Sequence, residues 1–166
     1  MTKNENYAFI DGNNLYLGVK TQKIKLDYGK LRKYLRNKFN VKRAFLFIGY
    51  DAKNVELYND LQKYGYTLVF KPTVIYTDEK GTRSMKGNVD AELVLYAAAV
   101  EYKNYDRAVI ISSDGDFTCL IRFLLDKKKL AKIITPTSLY SKLLRPFGAY
   151  ILPIKDIKDK ISKEKK

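Results

Sequence analysis

Residues 108–117 read Ala-Val-Ile-Ile-Ser-Ser-Asp-Gly-Asp-Phe. The apolar run at their start is short and uninterrupted, which is typical of a strand buried on both faces of a sheet. Two aspartates follow directly, and over residues 117–125 apolar side chains then recur at helical spacing. The stretch therefore predicts a strand, an acidic turn and an amphipathic helix, in that order.

The same alternation continues along the chain. Further apolar runs predict strands at residues 7–10, 43–48, 67–70, 131–134 and 150–154. Helical spacing predicts helices at 28–39, 55–64 and 89–102, and more weakly at 138–144. Strands that are apolar on both faces need helices on both sides of their sheet. The sequence therefore predicts an α/β fold, a three-layer sandwich with a central, mostly parallel sheet.

Two segments depart from this alternation. Residues 75–88 are polar and charged around two glycines, which predicts a long loop or hairpin beside the sheet. From Lys155 onward the chain is rich in lysine, which predicts a frayed helix or solvated coil. We therefore expect a single domain over residues 1–154 and a basic C-terminal tail over residues 155–166.

Composition limits the class of protein. With 166 residues, 46% of them hydrophobic, and only 9 Gly and 4 Pro, the chain can form one packed core, which excludes collagenous and wholly disordered chains. The net charge of +14 and the pI near 9.7 favour a polyanionic partner such as nucleic acid. Lysine-rich surfaces also serve solubility, so charge alone does not decide the partner.

Cysteine content and hydropathy predict the compartment. Cys119 is the single cysteine, and its apolar neighbours predict that its thiol packs on an apolar helix face in a reducing interior. The first seven residues are polar, and no stretch approaches the ~18 apolar residues of a membrane span. We expect a cytoplasmic protein without a membrane partner.

Acidic residues follow the predicted strands. Asp11 comes directly after strand 7–10, Asp114 and Asp116 come after the strand at 108–112, and Asp90 lies at the start of a predicted helix. The carboxyl ends of parallel strands form the edge where open α/β sheets bind ligands. Each aspartate taken singly is also explained as a helix N-cap, worth ~1 kcal/mol.

Convergence of these four acids predicts a metal site. Two carboxylates ~4 Å apart repel by ~4 kcal/mol at an effective dielectric near 20, so such a cluster needs a compensating cation or proton. Hard divalent ions take oxygen ligands, so we expect Mg²⁺ or Mn²⁺. The chain has no histidine, which removes imidazole bases and histidine-containing hydrolytic triads. Metal-assisted hydrolysis of a phosphodiester is the chemistry that remains.

Three blocks of sequence carry a resemblance to a known family. Residues 9–16 read Phe-Ile-Asp-Gly-Asn-Asn-Leu-Tyr, residues 86–93 read Lys-Gly-Asn-Val-Asp-Ala-Glu-Leu, and residues 111–117 read Ile-Ser-Ser-Asp-Gly-Asp-Phe. In this order and spacing they resemble the NYN domain family, relatives of PIN-domain nucleases, and most closely its bacterial LabA-like branch. The resemblance implies a PIN-like (Rossmann-like) fold and a metal-dependent ribonuclease site.

The resemblance assigns the acidic set residue by residue. Asp11 and Asn14 match the first motif, Asp90 matches the acid that opens the central helix, and Asp114 and Asp116 match the closing pair. It thus implies that these five residues are catalytic and that the four aspartates bind metal. Asn14 cannot ionise, so its amide would orient a carboxylate, a metal-bound water or a phosphate oxygen, or it is simply a turn residue.

The flanking motif positions have two interpretations each. Lys86 matches a basic position before the central helix, where it contacts the scissile phosphate or pairs with an acid. Ser112 and Ser113 donate to an aspartate or cap the following helix. Ser113 stands where the family often has glycine, a departure that leaves every acid intact.

Substrate contacts are expected from basic and aromatic side chains. Arg32 and Arg36 are four residues apart on a helical side away from the leucines, where they engage successive phosphates or are merely solvated. Tyr16 and Tyr76 are candidates for stacking on bases, worth ~1 to 3 kcal/mol per base. Single-stranded RNA is favoured because unpaired strands splay their bases, while duplex and DNA substrates stay open.

Two rival functions have their own signatures. A phosphatase of the haloacid dehalogenase type needs a second aspartate two residues after the first, where this chain has Asn13. A nonenzymatic RNA-binding or regulatory module would keep the acidic pocket for a structural cation. PIN relatives often dimerise, so the resemblance also leaves a homodimer open.

Overall fold

The computed structural model describes residues 5–71, 74–86 and 89–164, and in 74–76 and 83–86 the backbone alone. Within these ranges the strands are β1 (Asn6–Asp11), β2 (Val41–Gly49), β3 (Tyr66–Lys71), β4 (Val74–Thr77), β5 (Arg83–Lys86), β6 (Ala108–Ile111), β7 (Leu130–Thr135) and β8 (Ile151–Pro153). The α-helices are α1 (Gly12–Thr21), α2 (Tyr28–Phe39), α3 (Val55–Tyr64), α4 (Asp90–Leu95), α5 (Thr118–Asp126) and α6 (Lys158–Ile161).

Six strands form the central sheet in the order β3-β2-β1-β6-β7-β8, and every neighbouring pair among them is parallel. In the middle of the sheet Phe9 of β1 pairs with Phe45 on one side and with Ile110 on the other. Strands β4 and β5 form a separate antiparallel hairpin, as residues 75–88 predicted. The predicted α/β fold with a central, mostly parallel sheet is confirmed.

Hydrophobic cores cover both faces of the sheet. Alternate residues of β1 enter different cores: Ile10 packs with Leu35 of α2, whereas Phe9 packs with Leu93 of α4 and Leu120 of α5. Ile10 and Phe9 are both fully buried. Burial of a strand on both faces is what makes its sequence continuously apolar rather than alternating, and it produces the three-layer arrangement.

Helices α2 and α3 have the bounds that the sequence predicts, because their ends carry strong local signals. The Asp27 side chain caps α2 by accepting a hydrogen bond from the Lys30 N–H at 3.1 Å. Asn40 ends α2 in the left-handed region at φ 53°, and Gly65 ends α3 at φ 104°.

Two helix predictions are only partly right. The helix expected over residues 89–102 is α4 followed by a π-turn, Tyr96–Val100, and a 3₁₀ turn, Tyr102–Asn104. The weak helix expected at 138–144 is a 3₁₀ segment, Lys142–Tyr150, interrupted at Phe147 next to Pro146. A proline inside the segment disfavours a regular α-helix there.

The expectation of a frayed helix or solvated coil is wrong for residues 155–164. Ile157 and Ile161 are buried in the same core as α2, because the isoleucines recur at helical spacing among the lysines. Leu26 and Ser162 form a β-bridge that ties this segment to the residues before α2. Residues 157–161 therefore contribute side chains to the core.

Two further expectations concern surface properties. Cys119 is exposed on α5, so the prediction that its thiol packs against an apolar face is wrong. In the part of the chain that the structure describes, every helix is too short or too polar to cross a membrane.

Candidate active site

The order of the strands creates a crevice at the carboxyl edge of the sheet. From β1 the chain crosses to β2 on one side, and it returns later to place β6 on the other side of β1. The connections after β1 and β6 therefore diverge, and open α/β sheets bind ligands at such a switch point. Strand β1 ends at Asp11, and β6 ends three residues before Asp114.

Three aspartates converge in this crevice. Asp11, Asp90 and Asp114 each present one carboxylate oxygen, and these oxygens lie within 4.8 Å of one another. Asp11 is buried, and the other two are partly buried. Asp116 is exposed and lies outside the three-carboxylate group, although its backbone N–H donates to Asp114 Oδ1 at 2.9 Å. Three of the four predicted acids thus form one close group, and the fourth, Asp116, lines the same crevice.

Capping and clustering occur together at two of these aspartates. The Asp11 side chain caps α1 by accepting a hydrogen bond from the Asn14 N–H at 3.2 Å. Asp114 caps the 3₁₀ turn Gly115–Phe117 in the same way through the Asp116 N–H. Asp90 lies inside the first turn of α4, whose N-cap is Val89.

Polar side chains of the two motifs hold the aspartates in position. Asn14 Oδ1 accepts a hydrogen bond from the Ser113 N–H at 2.9 Å, which joins the start of α1 to the loop after β6. The Ser112 hydroxyl donates to Asp11 Oδ2 at 3.4 Å and accepts from the Asp114 N–H at 3.1 Å. Ser113 Oγ accepts from the Thr137 N–H at 3.1 Å, so this hydroxyl fixes the neighbouring loop.

The donor set of the crevice fits a hard divalent cation. A cavity of about 230 Å³ is lined by the four aspartates together with Asn13, Asn14, Leu17 and Val89. Among the side chains that the structure describes, no lysine or arginine pairs with Asp11 or Asp114. Converging carboxylate oxygens are ligands of the type that Mg²⁺ and Mn²⁺ take.

Burial and mutual repulsion raise the pKa values of two of the carboxyl groups. Burial raises the pKa of Asp11, and the charge of Asp114 adds to this effect, while hydrogen bonds from Asn14 and Ser112 oppose it. Burial, followed by the charges of Asp114, Asp11 and Asp116, raises the pKa of Asp90 to about 6. The metal-free crevice therefore favours protonation of Asp90.

The raised pKa of Asp90 predicts how stability changes with pH in the metal-free protein. The native state holds this proton up to about pH 6, whereas the unfolded state loses it near 3.8. The stability that the native state gains by holding this proton is fully present below about pH 4 and is lost as the pH rises through about 6. At pH ~7.5 in chelator we expect Asp90→Asn to be more stable than the parent, because the amide removes the repulsion from the neighbouring carboxylates. Since solvent screens this partly exposed group, we expect a difference of about 1 kcal/mol, or ~2–4 °C.

Thermal melts in EDTA at pH ~4 and pH ~7.5 test this prediction. The advantage of Asp90→Asn is expected at the higher pH only, since the parent is itself protonated at the lower one. A variant that is less stable than the parent at both pH values would contradict repulsion within the cluster.

The residues expected to contact substrate have different surroundings. Arg32 is 3% exposed, and its guanidinium donates to the backbone carbonyls of Gly65, Val41 and Lys42, so its prediction as a phosphate ligand is wrong. Arg36 is exposed on α2.

The two tyrosines and the motif lysine that were expected to contact substrate also differ in what the structure describes of them. Tyr16 is 52% exposed on α1, with Lys20 Nζ 5.6 Å from the centroid of its ring. Lys86 ends the backbone of β5, but its side chain and that of Tyr76 lie outside the described residues.

A basic cavity that the sequence did not reveal lies along α2. It measures about 490 Å³ and is lined by Lys30, Lys33, Tyr34, Asn37, Lys38 and Lys160. Lys160 comes from α6, and its Nζ lies 5.9 Å from the centroid of the Tyr34 ring. Helical spacing alone groups the lysines of α2, but only the packing of α6 on α2 adds Lys160.

A Rossmann-like parallel sheet with an aspartate cluster at its switch point defines the class of this protein as a PIN-like α/β domain. More particularly, the chain belongs to the NYN domain family, whose sequence profile matches residues 7–146. It is similar to the low amplitude and bright protein LabA of Synechococcus elongatus, with 27% identity over 161 residues that cover 93% of this chain and 86% of LabA. These matches confirm the resemblance seen in the three sequence blocks.

A solved structure supports the fold independently. The crystal structure of a protein of unknown function from Vibrio parahaemolyticus superimposes with a TM-score of 0.71 and 22% sequence identity. The match covers 94% of this chain and 98% of the Vibrio protein. At this identity the similarity concerns the fold alone.

Proposed function

We propose that this protein is a metal-dependent ribonuclease that hydrolyses phosphodiester bonds of single-stranded RNA. The observation that carries the proposal is the convergence of Asp11, Asp90 and Asp114 at the switch point of the sheet. Membership of the NYN family, within the PIN-like nuclease superfamily, supports it.

The residues of the crevice have distinct roles in this proposal. Asp11, Asp90 and Asp114 would hold the ion. The Asn14 N–H and the Ser112 hydroxyl would keep the Asp11 carboxylate in place, and Ser112 Oγ would fix the backbone of Asp114 by accepting from its N–H. A bound Mg²⁺ or Mn²⁺ supplies a water of lowered pKa and neutralises charge on the phosphodiester.

Asp116 has a separate role in the proposal. It lines the same cavity but is exposed, so we assign it to hold a water molecule at the rim of the cavity. Its carboxylate accepts hydrogen bonds from such a water when ionised.

The requirement for metal is the first test. Cleavage of an end-labelled, unstructured RNA is expected with Mg²⁺ or Mn²⁺ and is expected to stop in EDTA. Cleavage that continues in EDTA would contradict the proposal.

The basic cavity along α2 supplies a second element of the proposal, a binding surface for the RNA backbone. Four lysines line it, and phosphate groups of a bound RNA would relieve the repulsion among their like charges. Replacing Lys33 and Lys38 by glutamine is expected to reduce the dependence of log K on log salt by ~0.7 for each lost phosphate contact, or ~1.4 for the pair.

Fluorescence anisotropy with labelled RNA in EDTA, over a series of salt concentrations, measures this slope without cleavage. Lys53 and Lys63 are exposed lysines outside the basic cavity, and their double glutamine variant is the matched control. Equal slopes for the two double variants would show that α2 is not part of the RNA-binding surface.

A nonenzymatic module with a structural cation is the second candidate function. It is favoured by the capping hydrogen bonds of Asp11 and Asp114, which stabilise helical turns without any catalysis. For such a module, metal and RNA would both bind, and the RNA would stay intact. The homodimer and the cytoplasmic location stay predictions.

A further inference from the structure

A second cavity lies directly beside the acidic one. It measures about 350 Å³ and is enclosed by the start of α1, the end of β2 and the helix α3. Asn13 lines both cavities, so they are neighbours across a single exposed side chain. A ligand group bound at the aspartates therefore has this second cavity within reach.

The floor of this cavity is apolar and rigid. Leu46 and Leu61 are each 2% exposed. The Tyr58 hydroxyl donates to the Gly49 carbonyl at 3.3 Å and accepts from the Asp51 N–H at 3.0 Å, which fixes its ring. The floor thus carries no charge and offers aromatic and aliphatic surface.

Close packing at Gly12 keeps the two cavities together. A Cβ atom at Gly12 would lie 2.2 Å from Ile48 Cγ2 and 2.8 Å from the Phe47 carbonyl oxygen, so α1 begins directly against β2. This contact leaves the next residue, Asn13, at the boundary between the acidic and the apolar cavity.

The rim of the apolar cavity carries accessible groups. Tyr16 is 52% exposed and Leu57 is 45% exposed, although both line the cavity. Asn13 and Asn54 add amide groups, which supply both hydrogen-bond donors and acceptors. Lys20, beside the Tyr16 ring, adds a positive charge next to the rim.

We propose that this cavity binds an unpaired nucleobase of an RNA strand whose scissile phosphate lies at the metal site proposed at Asp11, Asp90 and Asp114. The proposal rests on the ribonuclease function proposed above and adds a base-binding subsite to it. An uncharged cavity with an aromatic rim suits the π-face of a base, and amide groups suit its hydrogen-bonding edge. Its volume is within the ~300–1,000 Å³ of ordinary small-molecule sites.

Two features of the surroundings select a single-stranded nucleic acid over another apolar ligand. Asn13 lines both this cavity and the proposed metal site, so an occupant that spans both needs an anionic part for the metal site and an apolar part for the cavity. A base in a duplex has its edge and faces covered, so it cannot enter a cavity of this kind unless it leaves the stack.

Titration of the metal-free protein with adenosine, cytidine and uridine tests the subsite apart from catalysis. In ¹⁵N–¹H spectra recorded in EDTA we expect shifts of the Gly12 and Gly49 amides, which line the cavity. The nucleoside that shifts these two amides most is then used to compare variants. Leu57→Asp and Tyr16→Ala are each expected to weaken its binding by roughly 5-fold or more, because they remove apolar or stacking surface.

Matched controls are available on α3. Val55 is 44% exposed and Tyr64 is 46% exposed, and neither lines the cavity, so Val55→Asp and Tyr64→Ala are expected to bind like the parent. Melting temperatures close to that of the parent show that each variant is folded.

Three results would overturn the subsite: no shift at the two glycines, equal weakening by the control variants, or the same shifts with ribose alone. Failure of the ribonuclease proposal has a different signature, since RNA would then stay intact with Mn²⁺ while nucleosides still bind. If the protein cleaves RNA with Mn²⁺ but binds no nucleoside, the subsite is overturned and the ribonuclease proposal stands.

Discussion

Replacing Asp114 by asparagine is expected to lower the rate of metal-dependent RNA cleavage by at least ~10²-fold, the scale of losing one preorganised electrostatic contact in an active site. The variant removes one negative charge from the group of three carboxylates. Asparagine and aspartate are about equally good N-caps, so the 3₁₀ turn that Asp114 caps should persist. The variant therefore separates the charge from the structural role.

Initial rates of cleavage of an end-labelled, unstructured RNA at saturating Mn²⁺ measure this effect. Asp60→Asn is the matched control, because Asp60 is exposed on α3 and outside the acidic cavity. RNA affinity in EDTA should be similar for the parent and both variants. A cleavage rate for Asp114→Asn within ~3-fold of the parent would mean that the activity does not come from this crevice.

Saturation with Mn²⁺ is expected to produce the largest change in stability. A ligand that binds only the native state adds ~2.7 kcal/mol at 100 times its dissociation constant, which corresponds to roughly 5–11 °C for a chain of this length. The physical reason is that the ion offsets the repulsion among Asp11, Asp90 and Asp114. Burial and this repulsion together raise the pKa values of Asp11 and Asp90.

Thermal melts across a Mn²⁺ titration, referenced to EDTA, test this expectation. The double variant Asp11→Asn, Asp114→Asn should lose most of the increase, because it leaves only Asp90 of the three ligands. Asp60→Asn should retain the full increase. A double variant that is stabilised as much as the parent would show that the ion binds elsewhere.

The strands of the central sheet and the helices α2, α3 and α5 were predictable from local signals in the sequence. Strands such as β1 and β6 are buried on both faces, so their sequences are continuously apolar and stand out from the helices. Helix α2 has a capping aspartate, Asp27, and a left-handed asparagine, Asn40, at its ends.

Helix α1 was missed because its own sequence argues against it. It begins Gly12-Asn13-Asn14, residues of low helix propensity, and contains a further glycine, Gly18. The helix is stabilised instead by the Asp11 cap and by the burial of Leu15 and Val19 against the sheet. Tertiary packing thus overrides helix propensity in α1. The apolar cavity could not be predicted from the sequence either, because α1 forms one of its walls.

The acids of the candidate site were predictable because their position depends on topology. An aspartate that follows a strand of a parallel sheet lies at the carboxyl edge, so Asp11 and Asp114 were expected to meet. Arg32 was misassigned because helical spacing defines the direction of a side chain from the helix but not what packs there. Residues of other elements, the carbonyls of Gly65 and Val41, surround its guanidinium.

Anomalous scattering from crystals soaked in Mn²⁺ tests the central claim most directly. The account predicts a manganese peak within coordination distance of carboxylate oxygens of Asp11, Asp90 and Asp114, about 2.0–2.3 Å away. It also predicts that the peak is absent from crystals of the Asp11→Asn, Asp114→Asn variant. An empty crevice in the parent protein at saturating Mn²⁺, or a peak bound only by other side chains, would contradict it.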